Sequence, residues 1–369
     1  MRVALDGSFL RLPPSGTGTY VRELAAAMLA LDPALDLALL NPERWADAAG
    51  GGASRSRRLA WDLVGVAAAA RRKRAELLHV PHFSAPLRTG VPLVVTIHDA
   101  IPLLLPEYRA TRGARLRLAV ARRTVRAARL VLTPSRAAAA DIERALGIPA
   151  ARLRVTPEAA GAGFRPASDP ADPATAAVAR RFGVRERYVF NVGGMDVRKG
   201  LPLLVEAFAR ALPRLNAPAQ LVIAGAPHTG NPTVFPPLAP VIARLGLGQH
   251  VVLTGFVSAN AKLALYQRAA LYATPSRHEG FGLTVLEAMA CGVPVVAANR
   301  TSLPEVVGDA GLLVEPEVEA VAAAMVAVLN GPDLAQSLRT RGLARAAEFS
   351  WERTARLTLD AYAEALAMS

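Results

Sequence analysis

The stretch TPSRHEGFGLTVLEAMACGVPVV, residues 274–296, decides how this chain is read. An apolar run over 271–274 ends at Thr274, and a polar loop holding Gly280 and Gly282 follows. A helical pattern opens near Leu283, and a second apolar run covers 293–297. Strand, glycine turn, helix, strand is the repeating unit of a parallel sheet. Backbone N–H groups at such a helix start have no intrahelical partner and carry partial positive charge, which suits a phosphate. The glycines let a ligand approach the backbone closely. Glu279 lies in the loop and Glu287 inside the helix, and amphipathicity explains neither. A carboxylate accepting two hydrogen bonds suits the vicinal hydroxyls of a sugar. Taken singly, Glu279 reads as an exposed loop residue and Glu287 as one end of a surface salt bridge. Flanking one glycine-rich turn together, they read as a ligand site.

Working outward, NVGGMDVRKG (191–200) repeats the pattern of strand, glycine turn and helix start. Gly194 stands in the turn, and Arg198 and Lys199 follow as a fork and a point charge able to neutralise a diphosphate. Two solvated cations are the plain alternative. They oppose the dipole of the helix they precede, and an anion between them accounts for that placement better. PSGTGTY (14–20) places Gly16 and Gly18 in a third loop between strand and helix, a pattern of low specificity alone. TIHDAIP (96–102) puts His98 at the carboxyl end of a strand, the edge where ligands gather in open α/β sheets. His98 can donate to an oxygen or exchange a proton there. His79 and His82 read as structural. No Asp-x-Asp pair and no His/Cys cluster has metal-ligand spacing.

The rest of the chain frames these segments. Its 369 residues suit two domains. An apolar content of 52% against 20% charged residues excludes disorder. Apolar runs over 2–6, 77–80, 91–97, 130–133, 188–192, 221–224, 251–254 and 271–274 predict strands. Helices are expected over 20–31, 109–128, 137–146, 201–212 and 351–368, with Ser135 capping the third. The turn-rich segment 164–173 reads as the linker. The single Cys291 rules out an internal disulfide, fits a reducing compartment and reads as core. No run approaches the ~20 apolar residues that cross a bilayer. The expected location is the cytoplasm, with any membrane contact peripheral, at the inner face. Residues 1–165 carry 25 Lys+Arg against 13 Asp+Glu, whereas the remainder is nearly balanced at 18 against 17. The net charge of +13 therefore belongs to the first half, which points to an anionic partner. Arg71 to Arg74 and the arginines from Arg109 to Arg129 supply much of it. A solvated face is the plain reading, and docking on an anionic membrane is the functional one. Scarce aromatics argue against nucleic acid.

Together these motifs resemble the retaining glycosyltransferases of family 4, including bacterial mannosyltransferases, over essentially the whole chain. The most specific part is the pair Glu279-x7-Glu287. GGMDVRKG (193–200) is similar to the family's phosphate turn, with Gly200 where Asn is more usual. TIHDAIPLLLPE (96–107) is similar to a first-domain motif, and FSWER (349–353) to the crossover that returns the chain to the first domain. The resemblance implies a GT-B fold, two doubly wound Rossmann-like domains facing across a cleft. Residues 1–165 with 350–369 would form the acceptor-side domain, and residues 174–349 the nucleotide-sugar domain. It implies that Arg198 and Lys199 hold the donor diphosphate, Glu287 the ribose and Glu279 the donor sugar. Backbone at Gly16, Gly18, Gly194, Gly280, Phe281, Gly282, Leu283 and Thr284 would approach sugar and phosphates, Val257 the base, and His98 the sugar from the other domain. It further implies metal-independent transfer without a cofactor, from a GDP- or UDP-linked hexose to a saccharide or lipid-linked acceptor in glycan assembly. The HDAIP motif points towards GDP-mannose. A sugar-nucleotide epimerase of the same fold and a non-enzymatic nucleotide-sugar binder are the alternatives. The paired glutamates with Arg198 and Lys199 favour transfer.

Overall fold

A computed structural model of the chain describes residues 1–11, 15–42, 55–109, 112–169, 173–226 and 230–368. It divides into two compact units, Met1–Glu158 with Ser350–Ser369, and Ala159–Phe349. Each unit holds a six-stranded, wholly parallel sheet.

In the first unit the strands are β1 (Arg2–Asp6), β2 (Asp36–Leu40), β3 (Leu77–Val80), β4 (Leu93–Thr96), β5 (Leu130–Thr133) and β6 (Leu153–Val155). Their order is β2-β1-β3-β4-β5-β6. The inner strands β3, β4 and β5 are buried on both faces, which is why they read as unbroken apolar runs. The helix Gly16–Leu31 starts four residues before the expected 20–31, because Ser15 Oγ caps it by accepting from Gly18 N at 3.1 Å. Ser135 caps Arg136–Leu146 in the same way, accepting from Ala138 N at 3.0 Å. The expected helix over 109–128 is described as Arg112–Val125, preceded by a 3-10 turn, Pro106–Arg109.

The last helix, Trp351–Ala367, belongs to the first unit. Buried polar contacts fasten it there. Tyr362 Oη lies 2.6 Å from His79 Nδ1, His79 Nε2 lies 2.7 Å from Thr96 Oγ1, and Arg129 Nη1 donates to the Ala365 carbonyl at 2.7 Å. Burial, reinforced by the neighbouring His98, pushes the His79 imidazole down to about 3, so it stays neutral between two hydroxyls.

In the second unit the strands are β7 (Tyr188–Val192), β8 (Gln220–Ala224), β9 (Val251–Gly255), β10 (Leu271–Thr274), β11 (Val295–Ala298) and β12 (Leu312–Val314). Their order is β12-β11-β10-β7-β8-β9. Side chains alternate between two cores. Tyr188, Phe190 and Val192 enter one with Leu286 and Met289, and Val189 enters the other with Leu204, Phe208 and Met325. The strand order reverses between β7 and β10, and the crevice beyond the carboxyl ends at such a reversal is where doubly wound sheets bind ligands.

The unit boundary at Glu158/Ala159 falls ahead of the segment 164–173 that the sequence suggested as linker. Phe164 packs on the second unit's core, with its ring 5.9 Å from Tyr266, so the first part of that segment is integral structure. Residues 170–172 lie outside the described residues. Among the described residues no single helix is long and apolar enough to cross a membrane.

Candidate active site

The two glycine-rich segments of the second unit meet at the β7/β10 reversal. Gly193 leaves β7 at φ +148°, and the chain turns through a short 3-10 helix, Val197–Lys199. Gly200 then takes φ +63° and begins the helix Leu201–Ala211. The left-handed region at position 200 favours Gly and, after it, Asn. A Cβ on Gly200 would stand 2.8 Å from the Pro275 carbonyl oxygen, so this turn needs glycine in order to press on the loop after β10. Arg277 N donates to the Arg198 carbonyl at 2.7 Å and fastens the two loops together.

Side chains complete the junction. Glu279 Oε1 accepts from Lys199 Nζ and Oε2 from Arg198 Nη1, both at 2.6 Å, and Arg198 Nε lies 3.1 Å from Asp196 Oδ1. Glu279 is 8% exposed and Lys199 6%, so this is an interior ion cluster, not an exposed loop contact. Burial would raise the Glu279 carboxyl, but Lys199 and Arg198 outweigh it and hold it at about 2. Burial pushes the Lys199 ammonium below its ordinary value even beside Glu279. The loop itself is pinned: Thr301 Oγ1 accepts from Glu279 N at 3.0 Å, and Ser302 Oγ donates to the carbonyls of Glu279 and Phe281 at 2.9 and 2.8 Å.

Gly282 caps the helix Leu283–Ala290 at φ +113°, with the methyl of Leu303 where a Cβ would sit. Gly280 is buried in the loop, Phe281 packs edge-on to Phe349 at 5.8 Å, and Leu283 and Thr284 form the helix's partly exposed first turn. Glu287, 3% exposed, faces inward. Its Oε1 accepts from Lys262 Nζ at 2.7 Å and its Oε2 from Tyr266 Oη at 3.1 Å. Burial raises the Glu287 carboxyl even with Lys262 beside it. Neither Lys262 nor Tyr266 was singled out from sequence. Both lie on Ala259–Arg268, four residues apart on one helical face, which is the one linear signal that could have linked them. Val257 is buried just before that helix, after Gly255 turns at φ +70°. Gly194 is exposed in the 193–200 turn. Arg198, Lys199, Glu279, Glu287 and the glycines thus share one unit and one sheet edge.

The remaining predicted residues lie in the first unit. Gly16 is exposed, at the first position of its helix. Gly18 is buried, its amide serves Ser15, and a Cβ there would stand 3.1 Å from the Phe9 carbonyl oxygen. Helix packing alone therefore favours glycine at that position. His98 follows β4, with Nδ1 2.8 Å from Glu158 Oε1 and the Tyr20 ring edge-on at 4.9 Å.

Two other expectations about the first unit are refined. The sequence showed no metal-ligand spacing, yet the fold gathers Asp6, Asp62 and His82, with ligand atoms within 4.8 Å of one another. His82 Nδ1 accepts from Ser84 N, so Nε2 carries the proton and donates to Asp6 Oδ2 at 3.2 Å. That tautomer suits a hydrogen-bonded network better than a ligand set. Burial pushes the Asp62 carboxyl up to about 6. The basic region, in turn, spends several arginines on structure. Arg122 Nε and Arg126 Nη2 donate to the carbonyls of Ala145 and Leu146, which end the helix Arg136–Leu146, and Arg152 Nε donates to the Arg129 carbonyl.

Comparisons with known proteins agree with this construction. The family model described as Glycosyl transferases group 1 matches residues 178–345, and Glycosyltransferase Family 4 matches residues 14–159. The O-antigen chain mannosyltransferase B of Escherichia coli is 33% identical over 311 residues, covering 83% of this chain and 77% of that protein. Among solved structures, sucrose-phosphate synthase from Thermosynechococcus elongatus superposes with a TM-score of 0.77 at 22% identity over the full length of both chains. HepE from Anabaena, solved with UDP and glucose, gives a TM-score of 0.72 at 20% identity, covering 98% of each chain. The chain belongs to the group 1, family 4 glycosyltransferases and has their GT-B fold, which makes it a sugar-transferring enzyme of glycan biosynthesis.

Proposed function

We propose that this enzyme moves a hexosyl group, mannose from GDP-mannose, to a saccharide or lipid-linked acceptor, with retention at the anomeric carbon and without a metal. The observation that carries the reading is the buried bridge of Glu279 across Arg198 and Lys199 at the β7/β10 reversal. Two cations already fixed in a water-poor loop can meet a diphosphate without reorganising, which is how a leaving group is stabilised electrostatically. They supply the charge that a divalent ion would otherwise bring to the phosphates. The bond from the sugar's anomeric carbon to the donor phosphate breaks, and one to the acceptor oxygen forms. The acceptor's proton passes to a donor phosphate oxygen, so no side chain is assigned as general base.

In this reading Glu279 has two tasks. It meets the sugar, and it favours the charged form of buried Lys199 against burial. Glu287 takes the ribose hydroxyls, and Lys262 favours its charged form against burial. His98 acts on the donor sugar from the first unit, and Val257 meets the base. The mannosyl assignment is supported by the relative named above as a mannosyltransferase. The UDP in HepE keeps a uridine donor as the competing assignment.

The basic face of the first unit supports peripheral docking on an anionic membrane, where a lipid-linked acceptor would reside. Arg122, Arg126, Arg129 and Arg152 donate to carbonyls, which carry no net charge, so their positive field survives. Arg115, Arg122, Arg123 and Arg126 are exposed. Each basic residue near such a surface contributes about 1 kcal/mol.

Three outcomes are expected. Lys199→Ala and Glu279→Ala each lower transfer by roughly 10²–10³-fold, the loss typical of one electrostatic contact to the transition state, with the circular dichroism spectrum unchanged. Wild-type turnover in either variant contradicts the site. In a thermal-shift panel of GDP, UDP, ADP and TDP, GDP stabilises most, by about 2.7 kcal/mol at a concentration near 100 times its Kd. A lead by UDP overturns the guanosine assignment. The chain co-sediments with vesicles containing phosphatidylserine, less so as salt rises, and equal recovery with phosphatidylcholine vesicles removes the membrane reading.

A further inference from the structure

His98 is held in an arrangement the donor reading does not require. Its Nδ1 lies 2.8 Å from Glu158 Oε1, and the Glu158 carboxylate is 8% exposed. Glu158 follows β6, and its backbone is fixed from the other side: Thr354 Oγ1, on the helix Trp351–Ala367, donates to the Pro157 carbonyl. The ring is clamped edge-on by Tyr20, whose hydroxyl lies 3.0 Å from Thr96 Oγ1. Four elements of one unit thus immobilise a single imidazole and aim one carboxylate at one of its nitrogens. Its other nitrogen, Nε2, is buried and has no partner within hydrogen-bond geometry among the described residues, although the Pro81 carbonyl is close enough to favour the protonated ring.

We propose that Glu158 is a positioning residue that keeps His98 a doubly protonated imidazolium, with Nδ1–H given to the carboxylate and Nε2–H left for the sugar nucleotide. The assignment of Nε2–H to the donor rests on the role proposed above for His98, whereas the charge state does not. A neutral histidine could offer the same N–H, but an imidazolium adds a positive charge where the departing diphosphate gains a negative one.

The groups acting on the ring come from every element around it. Burial alone lowers the imidazole. The Glu158 hydrogen bond and charge, the adjacent Asp99 and the Pro81 carbonyl reverse this and lift it above the ordinary histidine value. Tyr20, on the packed helix, is itself pushed well above its usual value and stays neutral. His79, on β3, is the remaining titratable neighbour, and it stays uncharged at any working pH. Against these, Glu158 is, among the described residues, the carboxylate hydrogen-bonded to the ring, at 2.8 Å. Because the folded-state value is raised, the pair stabilises the fold fully below pH 6.5, and this contribution is lost as pH rises through the raised value.

The test uses the full chain labelled at its six histidines, with the His98 signal identified by its loss in His98→Asn. In the wild type the His98 NMR titration midpoint lies above 6.5. In Glu158→Gln, which keeps shape and removes charge, it falls by about one to three pH units, the range an adjacent opposite charge controls. In Glu158→Asp, which keeps the charge, it stays closer to the wild-type value. A wild-type midpoint at or below 6.5, or the same midpoint in the wild type and Glu158→Gln, overturns the proposal, and the first result needs no variant to fold.

A second arm follows nucleotide release from GDP-mannose or UDP-glucose, whichever stabilises the chain more in thermal shift. The alkaline limb of its pH–rate profile should move to lower pH in Glu158→Gln by the NMR shift, with turnover regained in acid. A merely structural salt bridge would lower the whole profile without moving it. If the NMR midpoint moves and the limb does not, Glu158 controls the charge as proposed and it is the donor role of His98 that fails.

Discussion

The β7/β10 edge of the second unit depends on one buried carboxylate. Glu279 joins the turn after β7 to the loop after β10 by accepting from Arg198 and Lys199, and it sits where the strand order reverses. An uncompensated ion in such a place costs several kcal/mol, so the glutamate and the two cations are mutually obligatory. Glu279 is held low by its two cations, and burial lowers Lys199 although Glu279 opposes the shift. The glycines serve the same junction. Gly200 brings the first loop against Pro275, and Gly282 lets the second start its helix against Leu303. The motif read from sequence as phosphate-binding thus also packs two loops closely, with one carboxylate drawing two cations together.

The first unit repeats the architecture with different chemistry. Its strand order reverses between β1 and β3, and Asp6, at the end of β1, meets His82, just after β3. The same crevice that carries cations in one unit carries carboxylates and a histidine in the other. The last helix ties this unit together through the His79–Tyr362 contact and the Thr354 hydroxyl, which is how residues near the carboxyl terminus shape the setting of His98.

Legibility in the sequence followed burial. The inner strands β3, β4, β5, β7 and β10 are covered on both faces, so their apolar runs named them to within a residue or two. The strands that escaped notice, β2, β6 and β12, are all sheet edges. Leu312–Val314 is apolar throughout but only three residues long, shorter than the run that marks a strand. The residues gathered at the β7/β10 edge were legible because Glu279, Glu287, Arg198 and Lys199 sit in short local patterns. Their partners were not: Lys262 finds Glu287 only after a strand and a loop intervene, and Glu158 finds His98 across 60 residues. Gly18 shows a different limit. A glycine in a loop looks the same whether it admits a phosphate or the Phe9 carbonyl. The arginines of 109–129 likewise look alike in sequence, and only the fold shows that Arg122, Arg126 and Arg129 donate to carbonyls.

The central claim is that Arg198 and Lys199 are a diphosphate site kept ready by Glu279. Calorimetric titration of one nucleoside diphosphate against the monophosphate of the same base tests it most directly. The diphosphate should bind the wild type about tenfold tighter or more, as expected for charge-assisted contacts worth about 1.5–3 kcal/mol. That advantage should vanish in the Arg198→Ala/Lys199→Ala double variant, while monophosphate affinity holds. An advantage that survives the loss of both cations would place the diphosphate elsewhere and contradict the account.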